Sequence, residues 1–204
     1  MEADEAFDFF IQLEKMMSEC YTEIYKICRD KSISSELEEL SKEEIDHTNL
    51  LKWGKDYLDR AQNASGCNFE RPAELRLVQE KIDQLINDIQ GKKTGLLEAI
   101  NDITVLERIM QQLYLRRIAE VKSSSLKRIF DTLSLSSREH IKSLFRIRQS
   151  LNSSNLSASS ITDSARSNVL KNFSNDTFFG KKKVNPKCVP VHTAKEASSS
   201  KGSH

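Results

Sequence analysis

Glycine and proline are scarce in this chain, at six and three among 204 residues. Long stretches pass with neither, which argues against many short strands joined by tight turns and favours long helices. Extended hydrophobic runs are missing too. No stretch approaches the roughly 18 uninterrupted apolar residues of a membrane span, so no membrane insertion is expected. The opening MEADEAFDFF is acidic where a signal peptide would be basic. The four cysteines, Cys20, Cys28, Cys67 and Cys188, form no closely spaced pair of the kind that binds zinc, haem or a four-thiolate iron. Without a secretion signal they read as free thiols in a reducing compartment, and the expected location is cytoplasmic.

Charge and apolar residues are plentiful, at 30% and 38%, which suits amphipathic helices with solvated outer faces. The net charge of +1 hides a split. Residues 152–204 carry eight Lys/Arg against three acids, or +5, which leaves −4 for residues 1–151. That second segment is rich in Ser, Asn and Lys and has no sustained apolar period, so it is expected to be a mostly disordered tail. Its Phe178–Lys183 stretch reads as a solvated charge run, without the aromatic interleaving of a nucleic-acid surface, and no nucleic-acid partner is expected.

Residues 1–151 read as one helical domain. Apolar residues at three- and four-residue spacing from Phe7 to Cys28 predict a first helix. Ser35 and Glu38 suggest a capping box for a second helix that begins near Ser34 or Ser35 and passes through Leu37, Leu40, Glu44, His47, Leu51 and Leu58. A loop is expected over 63–68. Pro72 suits the first turn of a third helix, a crossover that ends between Gly91 and Gly95. Two more helices are expected, from about Thr94 to Ala119 and from about Ser123 to Leu151.

The most informative feature is an internal repeat with a period of 93 residues. Leu13-Glu14-Lys15 matches Leu106-Glu107-Arg108, Met17 matches Met110 and Tyr21 matches Tyr114. Farther along, Leu37 matches Phe130, Leu40 matches Leu133, His47 matches His140 and Leu51 matches Leu144. Each half is a helix carrying Glu, a turn, and a helix carrying His. Residues 1–151 contain only these two histidines, and they fall at equivalent positions.

Glu44 precedes His47 by three residues, a spacing that puts both side chains on one helix face within reach of one cation. A Glu on each of two helices, with a Glu-x-x-His pair on the other two, is the ligand pattern of two-metal carboxylate bundles. Oxygen ligands with one imidazole per ion suit iron, and ligand type alone leaves manganese and zinc open. Glu14, Glu44, His47, Glu107 and His140 are therefore the candidate ligands.

In these residues the chain resembles the rubrerythrin branch of the ferritin-like superfamily. The resemblance rests on Leu-Glu-Lys at 13–15, Leu-Glu-Arg at 106–108, a Tyr seven residues after each Glu, and Glu44-Ile-Asp-His47, and it covers about residues 5–150. It implies a ferritin-like four-helix bundle built from two duplicated hairpins, a di-iron site, and reaction with peroxide or dioxygen. It also implies that Tyr21 and Tyr114 hydrogen-bond the site carboxylates. The chain departs from the pattern twice. Ser137 stands three before His140 where a Glu is expected, which degrades one ligand position and predicts one tight and one weaker metal site, or loss of the second metal. The neighbouring Glu139 is about 100° around the helix and points elsewhere. No rubredoxin-like cysteine module is present, so redox activity would need an external electron donor; a homodimer is compatible with the pattern. The competing expectation is a catalytically inactive helical scaffold or regulatory binding protein.

Overall fold

The computed structural model describes residues 3–60 and 72–158. Among these residues there are five helices and no strand: α1 (Ala3–Ile27), α2 (Lys31–Arg60), α3 (Pro72–Gln90), α4 (Leu96–Glu120) and α5 (Ser124–Ala158). The protein is an all-α bundle. α1 lies along α2 and α4 along α5, giving two hairpins, while α3 crosses between them and touches α1 and α4. The hairpins meet through α2 with α5 and α1 with α4, so α1, α2, α4 and α5 are the four staves.

Each stave buries the stripe that its periodicity marks. α1 buries Phe7, Phe10, Leu13, Met17, Tyr21 and Ile24, and α5 buries Leu126, Phe130, Leu133, Leu144 and Ile147. Polar residues interrupt both stripes in register: Glu14 in α1, Glu44 and His47 in α2, Glu107 in α4, and Ser137 and His140 in α5 are all buried. A helix periodicity that places carboxylates and imidazoles at core positions forces them to face one another rather than water.

Helix boundaries differ from expectation at two points. α2 starts at Lys31, about one turn before Ser35, because Asp30 is its N-cap. The Asp30 Oδ1 accepts from the amides of Ser32 (2.8 Å) and Ile33 (3.1 Å), satisfying two of the donors that a helix start leaves open. α5 continues past Leu151 to Ala158, since Asn152–Ala158 contains no Pro or Gly to break it. The rest of the expected tail, with the Phe178–Lys183 stretch and Cys188, lies outside the described residues, as does the loop expected at 63–68.

Two local features set how the helices approach. Gly54 of α2 is buried, and a Cβ there would stand 2.8 Å from both Phe7 Cε1 and Ile129 Cδ1, so α2 can lie this close to α1 and α5 only without a side chain. Between α1 and α2, Ser18 Oγ donates to the Ser41 carbonyl (2.8 Å) and Ser41 Oγ to the Ser18 carbonyl (2.9 Å). That reciprocal clamp lies one turn from Glu14 and Glu44 and pins their helices in register.

Candidate metal centre

The four staves bring the five candidate ligands together. Two groupings of buried side chains each offer ligand atoms within 4.8 Å of one another: Glu14, Glu44 and His47, and Glu44, Glu107 and His140. Glu44 belongs to both. Its Oε2 lies 2.7 Å from His47 Nδ1 and its Oε1 lies 3.0 Å from His140 Nδ1, so one carboxylate offers one oxygen to each grouping. His47 Nδ1 is also 3.5 Å from Glu14 Oε2, and His140 Nδ1 is 3.0 Å from Glu107 Oε1. The two imidazoles stack with centroids 5.3 Å apart.

These distances fit a shared cation. Two donors about 2.1 Å from one ion and at right angles to each other stand about 3 Å apart, and the Nδ1–oxygen distances bracket that value. The same spacing fits a hydrogen bond, so a proton can occupy each place that an ion would take. The donor chemistry, two carboxylates and one imidazole per ion, suits a first-row divalent metal.

The tyrosines tie the halves together crosswise. Tyr21, from the first half, donates to Oε1 of Glu107 at 2.6 Å, and Tyr114, from the second, donates to Oε1 of Glu14. Both phenols are fully buried. Each fixes the carboxylate of the opposite hairpin: Tyr114 takes Oε1 of Glu14 and leaves Oε2 facing His47, whereas Tyr21 shares Oε1 of Glu107 with His140.

The histidines are held in the same crossed fashion. His47 Nε2 meets Ser136 Oγ at 2.8 Å, and His140 Nε2 meets Glu43 Oε2 at 2.8 Å. Glu43 and Ser136 are 93 residues apart and so occupy matched positions of the repeat. Sequence reading missed both, although the period that aligned the histidines also aligns the residues four before them. Glu139 behaves as expected and pairs with Lys142 at 2.6 Å on the surface.

Proton affinities follow from burial and crowding. Burial pushes Glu14 well above the ordinary carboxylate range, and the charge of Glu44 adds to the push. Burial also raises Glu107, to about 7, again with Glu44 contributing. Burial would raise Glu44 as well, but hydrogen bonds from Glu14, His140 and His47 outweigh it and hold Glu44 well below its usual range. Burial opposes the charged form of His47, yet hydrogen bonds to Glu14 and Glu44 overcome it and push the imidazole up to about 10. His140 is raised further: burial again opposes, and the charge of Glu107 with hydrogen bonds to Glu107, Glu43 and Glu44 prevails. Without a metal, protons on both imidazoles and on Glu14 balance the buried acids.

Ser137 is buried in the same stripe as His140, in the position that Glu44 holds in the first half. Because Glu44 spans both groupings, each retains two carboxylates and an imidazole, and what Ser137 removes is a second bridge common to both.

No helix among the described residues is long and apolar enough to cross a membrane. No family model matches the chain, and no match is found among the curated proteins or the solved structures. The functional reading therefore stands on the chain's own residues and geometry.

Proposed function

We propose that this protein is a ferritin-like metalloprotein related to rubrerythrin, which holds two iron ions in the bundle and uses them in peroxide reduction or ferrous-iron oxidation. The observation that carries the reading is Glu44, fully buried and offering one oxygen to each of two Glu–Glu–His groupings. A carboxylate shared between two such donor groupings is suited to holding two adjacent cations. Glu14 and His47 would complete one position, and Glu107 and His140 the other.

Iron in this setting supplies redox chemistry toward peroxide or dioxygen that no side chain here can provide. The chain's own contribution is to hold and orient. Tyr21 and Tyr114 steer Glu107 and Glu14, Glu44 spaces the two positions, and the apolar stripes above and below exclude water. Loading displaces the protons on His47 and His140, because an imidazole ligates only when neutral at the ligating nitrogen. Electrons would come from a separate donor protein.

Anaerobic reconstitution with ferrous iron, then a peroxide challenge, tests the proposal. The expected result is two irons per chain, oxidised in step with peroxide loss, falling toward one in Glu14→Ala and in Glu107→Ala. Substoichiometric iron indifferent to both substitutions would end the metalloprotein reading. Ser137→Glu should add the second bridge and tighten both positions; unchanged iron affinity would count against that account of Ser137.

Ser137 also favours a second reading, a helical scaffold that has lost catalysis and keeps the acid–imidazole network as a polar core. A folded protein that takes up no iron on reconstitution would support it.

A further inference from the structure

The repeat makes one comparison available that the ligand set alone does not. In the first half, positions 43 and 44 are Glu-Glu; at the matched positions 136 and 137 the second half has Ser-Ser. Both members of the first pair engage the centre. Glu44 belongs to both groupings, and Glu43, whose side chain is 52% exposed, reaches in from the surface to His140 Nε2 at 2.8 Å. Ser136, the counterpart of Glu43, meets His47 Nε2 at the same distance and lies 3.5 Å from His140 Nε2.

Charge gives this asymmetry its meaning. Two divalent cations carry +4, and Glu14, Glu44 and Glu107 supply −3. With serine at 137, the fourth carboxylate of the ligand pattern is gone, and one positive charge in a buried site is costly unless another group compensates it. Glu43 is a further acid, hydrogen-bonded directly to one of the candidate ligand imidazoles. With Nδ1 of each histidine facing the carboxylates, Nε2 carries the ring proton and donates outward. For His140 that proton goes to a carboxylate and for His47 to a hydroxyl. A carboxylate acceptor makes the imidazole a more basic ligand and fixes its ring; a neutral hydroxyl does this only weakly.

Resting on the two-cation reading above, we propose that Glu43 is the positioning residue that supplies the charge lost at Ser137, acting through His140, and that the two positions are consequently unequal. The Glu44–Glu107–His140 position is the tighter one. The loss at Ser137 falls on both positions alike, so the order is set by the backing of the two histidines, a carboxylate for His140 and a hydroxyl for His47.

Titration with cobalt(II) under anaerobic conditions, followed by calorimetry and the visible ligand-field spectrum, tests this one position at a time. Glu14→Ala leaves the Glu44–Glu107–His140 position, and Glu107→Ala leaves the Glu14–Glu44–His47 position. Adding Glu43→Gln should weaken cobalt by about 10–100-fold in the Glu14→Ala protein, the usual cost of losing such a partner. In the Glu107→Ala protein it should change nothing. Glu43 is half exposed, so this substitution leaves the core intact. A purely structural role is separated by exchange: Glu43→Ser with Ser136→Glu should make the His47 position the tighter of the two. Equal weakening of both positions, no weakening, or an exchange that leaves the order unchanged would overturn the assignment. If neither single-position protein binds cobalt, the two-cation reading fails as well, and the two failures are thus told apart.

Discussion

Glu44→Gln is the most informative single substitution, because the residue it alters is common to both groupings. The amide keeps the volume and one acceptor but removes the charge and the second strong ligand oxygen. Linkage sets the scale. At a free cobalt concentration about 100 times the dissociation constant, each occupied position adds about 2.7 kcal/mol to the folded state. For a domain of about 150 residues, 1 kcal/mol moves the melting temperature by about 2–4 °C. With both positions saturated to that degree the melting temperature should rise by about 10–20 °C, and Glu14→Ala, which leaves the tighter position, should retain more of that rise than Glu107→Ala. Glu44→Gln should retain almost none, with bound metal near zero per chain. The assay is an anaerobic thermal melt with and without cobalt, paired with metal analysis of the same samples. A Glu44→Gln protein that keeps one tightly bound ion and half of the thermal rise would show that the positions do not share this carboxylate, and the argument from the bridge would fall.

The metal-free protein should lose stability as pH rises from about 6.5 to 10. His47 takes its proton more tightly folded, at about 10, than unfolded, at about 6.5, so its contribution is complete below the lower value and gone above the higher. Glu107, raised to about 7, adds a loss between about 4.5 and 7, whereas Glu44, held low, contributes above about 4.5 and is lost only in acid. Melts across pH 5–10 should thus fall steadily without metal and flatten with it, since ions replace those protons; a metal-free profile that rises from pH 7 to 9 would contradict the proton balance. Gly54→Ala should cost about 1–3 kcal/mol through overpacking against Phe7 and Ile129, measurable by urea denaturation, and a neutral result would mean that α2 can move away. Asp30→Ala should cost about 1 kcal/mol by removing the α2 cap, with Asp30→Asn restoring most of it.

Sequence and structure divide this protein along a clear line. Periodicity identified the five helices, because spacings of three and four positions set which residues share a helix face, and the repeat with the Glu-x-x-His pattern singled out Glu14, Glu44, His47, Glu107 and His140. The duplication of 93 residues pointed to a pair of equivalent hairpins for the same reason, position by position. Helix ends were less legible. Ser35 and Glu38 have the form of a capping box, yet Asp30 captures the amides first, and choosing between two capable caps depends on where the preceding turn delivers the chain.

What only the tertiary structure decided is which half serves which. Tyr21 bonds Glu107 and Tyr114 bonds Glu14; Glu43 holds His140 and Ser136 holds His47; Glu44 faces both histidines. Nothing local distinguishes a tyrosine that supports its own helix's glutamate from one that reaches across the bundle. Apart from Glu44 with His47, these pairings join residues 86 to 100 apart and arise from the way the two hairpins close on each other. That closure makes a single carboxylate common to both groupings, and it turns the apparent loss at Ser137 into a question of charge that a residue on the opposite hairpin can answer.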